Sequence, residues 1–374
     1  MSKTDSTGTS NVPAAGAGCG VRFERDGAAV TLTLDRAAKL NAIDSGMKAA
    51  IANEIPRIAR DPQVYAVLFR AAPGRMFSAG GDIREFYDLA RTDPGRAAAE
   101  CAREFALIWL LDCCPKPSIA LIDGPVMGTG VGIVQIATHR VAGAGYRFQM
   151  PETLIGFFPD NGVCWHLARL PHEIGTWLGM TGLAIGPEDA YWLDLLTHCI
   201  DAGRFDRVAS AIANAEPVDQ VLAAEHVDPG PPPLRALADV IERCFSAATT
   251  AEIIDRLAAS RTQREWCEAT IETLRRRSPT ALEVTLRHLR RARHLDLRQT
   301  LIVDLRLAVK LMTHHDFIEG VRARIIDKSG EPRWQPSAVT DVGERGVEHY
   351  FDPLPSDEMS LPTRQEMLGL RVQK

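Results

Sequence analysis

At 374 residues, with 45% hydrophobic and 24% charged side chains, the chain is long enough for one large core and an appended unit, and its composition excludes a disordered polymer. A net charge of -5 gives no global attraction to nucleic acid or anionic membrane, so an anionic ligand must be met by a local patch or by backbone dipoles. Eight cysteines without a C-x-x-C pair, and no run near the ~18 apolar residues of a spanning helix, predict reduced thiols in a soluble, cytoplasmic-type protein.

The opening MSKTDSTGTSNVPAAGAGCG has no apolar h-region and no arginine, so residues 1–20 are expected to form a disordered tail and not a targeting segment. Order begins near Val21, where VRFERDGAAVTLTLDR alternates apolar and polar residues about Asp26-Gly27 and predicts an antiparallel hairpin. Asp44 caps a predicted helix to about Arg60, and Ala66-Val67-Leu68-Phe69 reads as a buried strand. The loop APGRMFSAGGD then leads to a helix beginning near Asp82. A second round follows: the strand SIALI, the loop DGPVMGTGVG, and a helical IVQIAT.

From about Pro231 the periodicity becomes helical, in ALADVIERCF, TAEIIDRLAA, PTALEVTLRHLRRA and LRQTLIVDLRLAVKLM. The expected organisation is an α/β core over 21–212, a helical C-terminal region over 213–335 and a loosely packed tail over 336–374.

Glycine loops at strand-to-helix turns aim unpaired backbone N–H groups outward, and two facing one point would form an oxyanion hole. Losing one donor of such a hole typically costs about 3 kcal/mol of barrier stabilisation. A dinucleotide fingerprint fails at Gly128-Thr129-Gly130-Val131-Gly132-Ile133, because Ile133 stands where the last glycine should be, and no G-K-[ST] loop follows a strand. In MPETLIGFFPD, Glu152 and Asp160 stand among apolar residues and prolines, where a buried carboxylate needs a partner or takes up a proton.

The segments FSAGGDI (77–83), PVMGTGVG (125–132) and MPETLIGFFPD (150–160) resemble the signatures of the enoyl-CoA hydratase/isomerase (crotonase) superfamily. With SPTALEVTLRHLRRARHLDL and HHDFIEGVRARIIDKSGEPRW, they resemble in particular the 3-hydroxyisobutyryl-CoA hydrolase family, from about Arg22 to Trp334. The resemblance implies a crotonase-like spiral of ββα units followed by helices. It implies an acyl-CoA substrate, hydrolysed as in valine breakdown, with CoA as part of the substrate and no separate cofactor or metal. The N–H groups of Gly81 and Thr129 would form the oxyanion hole, Glu152 would be the catalytic carboxylate as nucleophile or as general base, and Asp160 its partner. Glu104 would read the substrate hydroxyl, and Lys39, Ala79, Gly80, Asp82 and Gly128 would complete the acyl-CoA surface. Members of the superfamily often trimerise, so a homo-oligomer is the partner it allows, with no nucleic acid and no membrane.

Two positions depart from the family pattern: Thr129 replaces a glycine, and Asn161-Gly162-Val163 replaces Val-Gly-Gly. Gly132 stands where a hydratase carries its second catalytic glutamate, which favours hydrolysis. An enoyl-CoA hydratase or isomerase, and a CoA-binding protein without activity, remain the alternatives. Arg275, Arg276, Arg277, Arg287, Arg290, Arg291 and Arg293 read as the solvated side of helices, not as a nucleic-acid surface. His314-His315-Asp316 lacks a third ligand at convincing metal spacing, and Cys113-Cys114 read as core or interface thiols.

Overall fold

The Asp26-Gly27 turn joins β1 (Val21–Asp26) to β2 (Ala29–Leu34), antiparallel with Val21 opposite Leu34. The structure is a computed structural model that describes residues 19–354 and 358–369, so the tail expected over 1–20 lies almost wholly outside the described residues. From β2 the sheet continues in parallel through β3 (Ala66–Ala71), β4 (Ser118–Ile122), β6 (His139–Ala142) and β8 (His198–Cys199), in the order β1-β2-β3-β4-β6-β8. A second, two-stranded parallel sheet pairs β5 (Pro125–Met127) with β7 (Arg147–Gln149).

Both faces of the central sheet are covered, which explains why its strands read as continuous apolar runs. Along β3 and β4, Val67, Phe69, Ala120 and Ile122 face the larger core, while Ala66, Leu68, Ile119 and Leu121 face a smaller one. The helices Phe205–Ala213 and Val218–Glu225 close that smaller core through Val208, Ile212 and Leu222. On the other side lie α1 (Ser45–Arg60), capped by Asp44 as expected, α2 (Ile83–Thr92), capped by Asp82, and α3 (Pro94–Asp112).

Helix α4 spans Thr129–Gln135, four residues earlier than the expected IVQIAT helix. Gly130 and Gly132, assigned to the loop, lie inside the first turns of α4 because the helix rests on the other glycine loop: a Cβ on Gly130 would stand 2.7 Å from Cβ of Ser78. After residue 335 the chain is also better packed than a loose tail. A helix at Glu344–Phe351 buries Val347 and Phe351, and Glu348 ion-pairs with Arg287 and Arg291. The larger core is continuous from the β/α half into the helices Pro279–Ala292 and Leu297–Leu311, across the boundary expected at 212/213.

The C-terminal helices press directly on the segment that carries Glu152. Gly156, at φ +74°, ends its 3-10 turn (Glu152–Ile155), and a Cβ there would meet Asp316 C at 2.4 Å. Reciprocally, a Cβ on Gly320 would lie 2.6 Å from Ile155 C. Backbone meets backbone at this crossing, so neither side can yield by rotating a side chain. Gly320→Ala is expected to destabilise the fold by about 1–3 kcal/mol, read as a lower urea midpoint at unchanged slope.

Candidate active site

The two glycine loops run side by side. Phe77 N–H donates to Pro125 O (2.9 Å), Met127 N–H donates to Ser78 O (3.1 Å), and Ser78 pairs with Val126 as a parallel bridge. Ile43 pairs with both neighbours of Gly81: it donates to Gly80 O (2.8 Å) and accepts from Asp82 N–H (3.0 Å). That pattern leaves the Gly81 N–H outside the pairing. Thr129 is the first residue of α4, where N–H groups have no intrahelical partner. Between them Gly128, at φ +51°, brings three parts together: a Cβ there would stand 3.3 Å from Glu152 Oε1 and 4.0 Å from Gly81 N.

Glu152 is 8% exposed and its Oε2 has no hydrogen-bond partner among the described residues. Burial pushes its carboxyl up to about 8, against a small opposing pull from its own backbone N–H. Asp160 is pushed well above the usual carboxylate range, first by burial and then by the carboxylates of Glu104, Glu152 and Asp304. Asn161, in a left-handed conformation at φ +58°, turns back so that its Nδ2–H donates to Asp160 Oδ1 at 2.8 Å. Phe157 and Phe158 anchor the segment between the two acids, with Phe157 5.4 Å from the Phe317 ring. Glu152 and Asp160 line one cavity of about 390 Å³, and burial raises the proton affinity of both.

Glu104, on α3, lines the same cavity but is not a free acceptor. Thr129 Oγ1–H donates to its Oε1 at 2.7 Å, and Lys48 Nζ donates to its Oε2 at 3.0 Å. Burial raises Glu104, but Lys48 and the hydrogen bonds from Thr129, Lys48 and Asn161 outweigh it, so its carboxyl is held below the usual range. Ala79, Gly80, Gly81, Asp82, Gly128 and Thr129 also line the cavity. Asp82 is occupied structurally: it accepts from Arg36 at 2.8 Å and caps α2. Lys39 is not brought into this group; it stands exposed on a 3-10 turn (Ala37–Lys39) outside the lining.

Residues 29–351 match the enoyl-CoA hydratase/isomerase family. The chain is 34% identical over 352 residues to 3-hydroxyisobutyryl-CoA hydrolase, mitochondrial, of Bos taurus, which covers 91% of this chain and 90% of that protein. The corresponding Homo sapiens protein is 33% identical with 91% and 90% covered. The chain belongs to the enoyl-CoA hydratase/isomerase family. Among solved structures, a carnitinyl-CoA dehydratase from Mycobacterium thermoresistibile aligns at a TM-score of 0.87 and 32% identity, covering 92% of this chain and 99% of that one. An enoyl-CoA hydratase from Rhodobacter sphaeroides aligns at 0.83 and 33%, covering 90% and 98%. The crotonase-type fold that the family resemblance implied is therefore the fold of this chain.

Within this family framework, the other sequence candidates have structural roles. His314 caps the helix His315–Val321, and His315 contacts Arg333 O at 2.9 Å. No group of three or more metal-ligating side chains is assembled among the described residues. Arg287, Arg290, Arg291 and Arg293 are engaged by Glu173 and Glu348, so these arginines are tied up in the fold. Cys113 is buried in the larger core. Sequence reasoning missed Lys48, which lies on α1 one turn after the Asp44 cap and reaches Glu104 across 56 residues. It also missed the buried pair His288 and Asp304 behind Asp160, whose helical spacing gave only a core pattern.

Proposed function

We propose that the chain hydrolyses short 3-hydroxyacyl-CoA thioesters, with 3-hydroxyisobutyryl-CoA as the substrate suggested by the names of its relatives. The observation that carries this reading is Glu152: a buried carboxylate with one unpartnered oxygen, on a cavity wall shared with both glycine loops. The thioester oxygen would sit between the N–H groups of Gly81 and Thr129, which stabilise the negative charge that develops on it. Glu152, once ionised, either attacks the carbonyl carbon, expelling the CoA thiolate to give a mixed anhydride that water then opens to the free acid and the regenerated carboxylate, or removes a proton from the attacking water. Asp160, whose hold on its proton is strengthened by burial and by the neighbouring carboxylates, donates a proton to the departing CoA thiolate. CoA enters as part of the substrate, and the scheme requires neither a metal nor a resident cofactor.

Hydration is the second reading, because the two structural relatives above carry dehydratase and hydratase titles. One observation weighs against it. A second acid/base carboxylate would have to stand at Gly132, where a Cβ would lie 2.6 Å from Cβ of Asn161. The hydration reading would then leave Glu152 without its partner at that position. Thiol release from 3-hydroxyisobutyryl-CoA, followed with a thiol-reactive dye beside crotonyl-CoA, tests the assignment. Release from the hydroxyacyl ester, with crotonyl-CoA left unhydrated, is expected; hydration of crotonyl-CoA without thiol release would overturn the proposal.

No helix among the described residues is long and apolar enough to cross a membrane. The cysteine usage suits a reducing compartment such as the cytoplasm, while the relatives' names place those proteins in mitochondria. A homo-oligomer remains part of this reading, tested by sedimentation of the purified chain.

A further inference from the structure

Both oxygens of Glu104 are engaged from within the protein, by the Thr129 hydroxyl at 2.7 Å and by Lys48 at 3.0 Å. An ionised carboxylate is a strong acceptor, and Lys48 keeps it ionised despite its burial. A hydroxyl on the acyl chain that seeks this acceptor therefore meets a protein hydroxyl already in place. Thr129 has little freedom to turn away. It is buried, β-branched and helical, and its Oγ1 lies 3.1 Å from where a Cβ on Gly81 would stand, so the side chain is wedged between the two glycine loops. One residue thus offers its N–H toward the thioester carbonyl while its side chain occupies the acceptor for the acyl hydroxyl.

We propose that Thr129 is a specificity-determining residue whose side-chain hydroxyl competes with the acyl 3-hydroxyl for Oε1 of Glu104. The consequence is a lowered preference for 3-hydroxyacyl over unhydroxylated acyl thioesters of the same carbon skeleton. Lys48 acts as a positioning residue in this arrangement, because it pins the other oxygen and leaves Oε1 as the contested one. The inference rests on the acyl-CoA reading above.

The test uses the Glu152→Gln protein, which binds without turnover, and calorimetric titration with 3-hydroxyisobutyryl-CoA and isobutyryl-CoA. Thr129→Val removes the hydroxyl at nearly constant volume, Thr129→Ala removes it with extra space, and Thr129→Ser keeps it. Val and Ala are expected to raise the affinity ratio of hydroxyacyl to plain ester by about tenfold, the scale of a hydrogen bond to a charged group, with Ser within about twofold of Thr. An unchanged ratio in Val and Ala, or an equal rise in Ser, overturns the inference. Since the readout is a ratio of binding constants, its failure leaves thioester hydrolysis standing. Absence of thiol release by the unaltered protein would instead remove the hydrolysis reading while leaving this ratio measurable.

Discussion

Glu152→Gln will lower kcat for thiol release by about 10³-fold or more while leaving the affinity for an acyl-CoA ester within a few-fold. The substitution keeps the shape of a side chain that is 8% exposed, and it replaces a carboxyl that burial already holds neutral in the empty cavity. Binding therefore sees little change. The chemical step, by contrast, requires an ionised oxygen either as nucleophile or as base, and an amide supplies neither. Single-turnover measurement of thiol release alongside calorimetric binding separates the two effects; an unimpaired release rate would show that another group does the chemistry.

The same carboxyl sets the pH dependence. With Glu152 raised to about 8, kcat/KM should climb about tenfold per pH unit below that value, since only the form with Glu152 ionised reacts, and should fall again once Asp160 loses the proton it has to donate. Stability moves the other way. A carboxyl whose folded pKa is raised binds more protons in the native than in the unfolded state, so its contribution is fully present below the ordinary carboxylate pKa and is lost as pH rises through about 8. Glu152→Gln should therefore gain stability relative to the unaltered protein as pH increases from the carboxylate range to above 8, with no gain in acid. Urea denaturation at the two ends of that range checks the sign. The residue that makes the reaction possible is thus one the fold would be more stable without.

What could be read from the sequence was what depends on neighbours along the chain. The hairpin at Asp26-Gly27, the Asp44 cap and the buried strands AVLF and SIALI each rest on a few adjacent residues, and each is found in the fold. The glycine loops and MPETLIGFFPD could be joined into a site only through the family resemblance, because nothing local says that Gly128 lies against Glu152. The start of α4 was misplaced because glycine's poor helix propensity argued for loop, whereas tight packing against Ser78 requires glycine within the helix. Lys48 was invisible for a related reason. A lysine on the first turns of an amphipathic helix reads as solvent-facing until α3 brings Glu104 against it. Lys39, assigned to the acyl-CoA surface through the resemblance, stands on an exposed turn outside the cavity lining, and no local sequence signal tells which of the two surroundings it has.

The second large effect is expected directly behind Asp160, in the helical half. Asp304, on the helix Leu297–Leu311, is fully buried with His288 on the helix Pro279–Ala292, Nε2 to Oδ1 at 2.6 Å, and its Oδ2 accepts from Gly162 N–H at 2.7 Å. One side chain therefore ties two C-terminal helices to the turn that holds Asn161 and, through it, Asp160. Asp304→Ala leaves two buried donors without an acceptor and is expected to cost about 3–5 kcal/mol, read as a fall in the urea midpoint. Asp304→Asn retains a single carbonyl oxygen and can satisfy only one donor, so its loss should fall between the two. Removing this neighbouring carboxylate also relieves one of the charges that raise the proton affinity of Asp160. Under conditions where Asp304→Asn stays folded, the proton affinity of Asp160 should therefore drop, and the high-pH limb of its kcat profile should shift to lower pH. A substitution that lowered stability without moving that limb would confine Asp304 to a packing role and disconnect the helical half from the chemistry of the site.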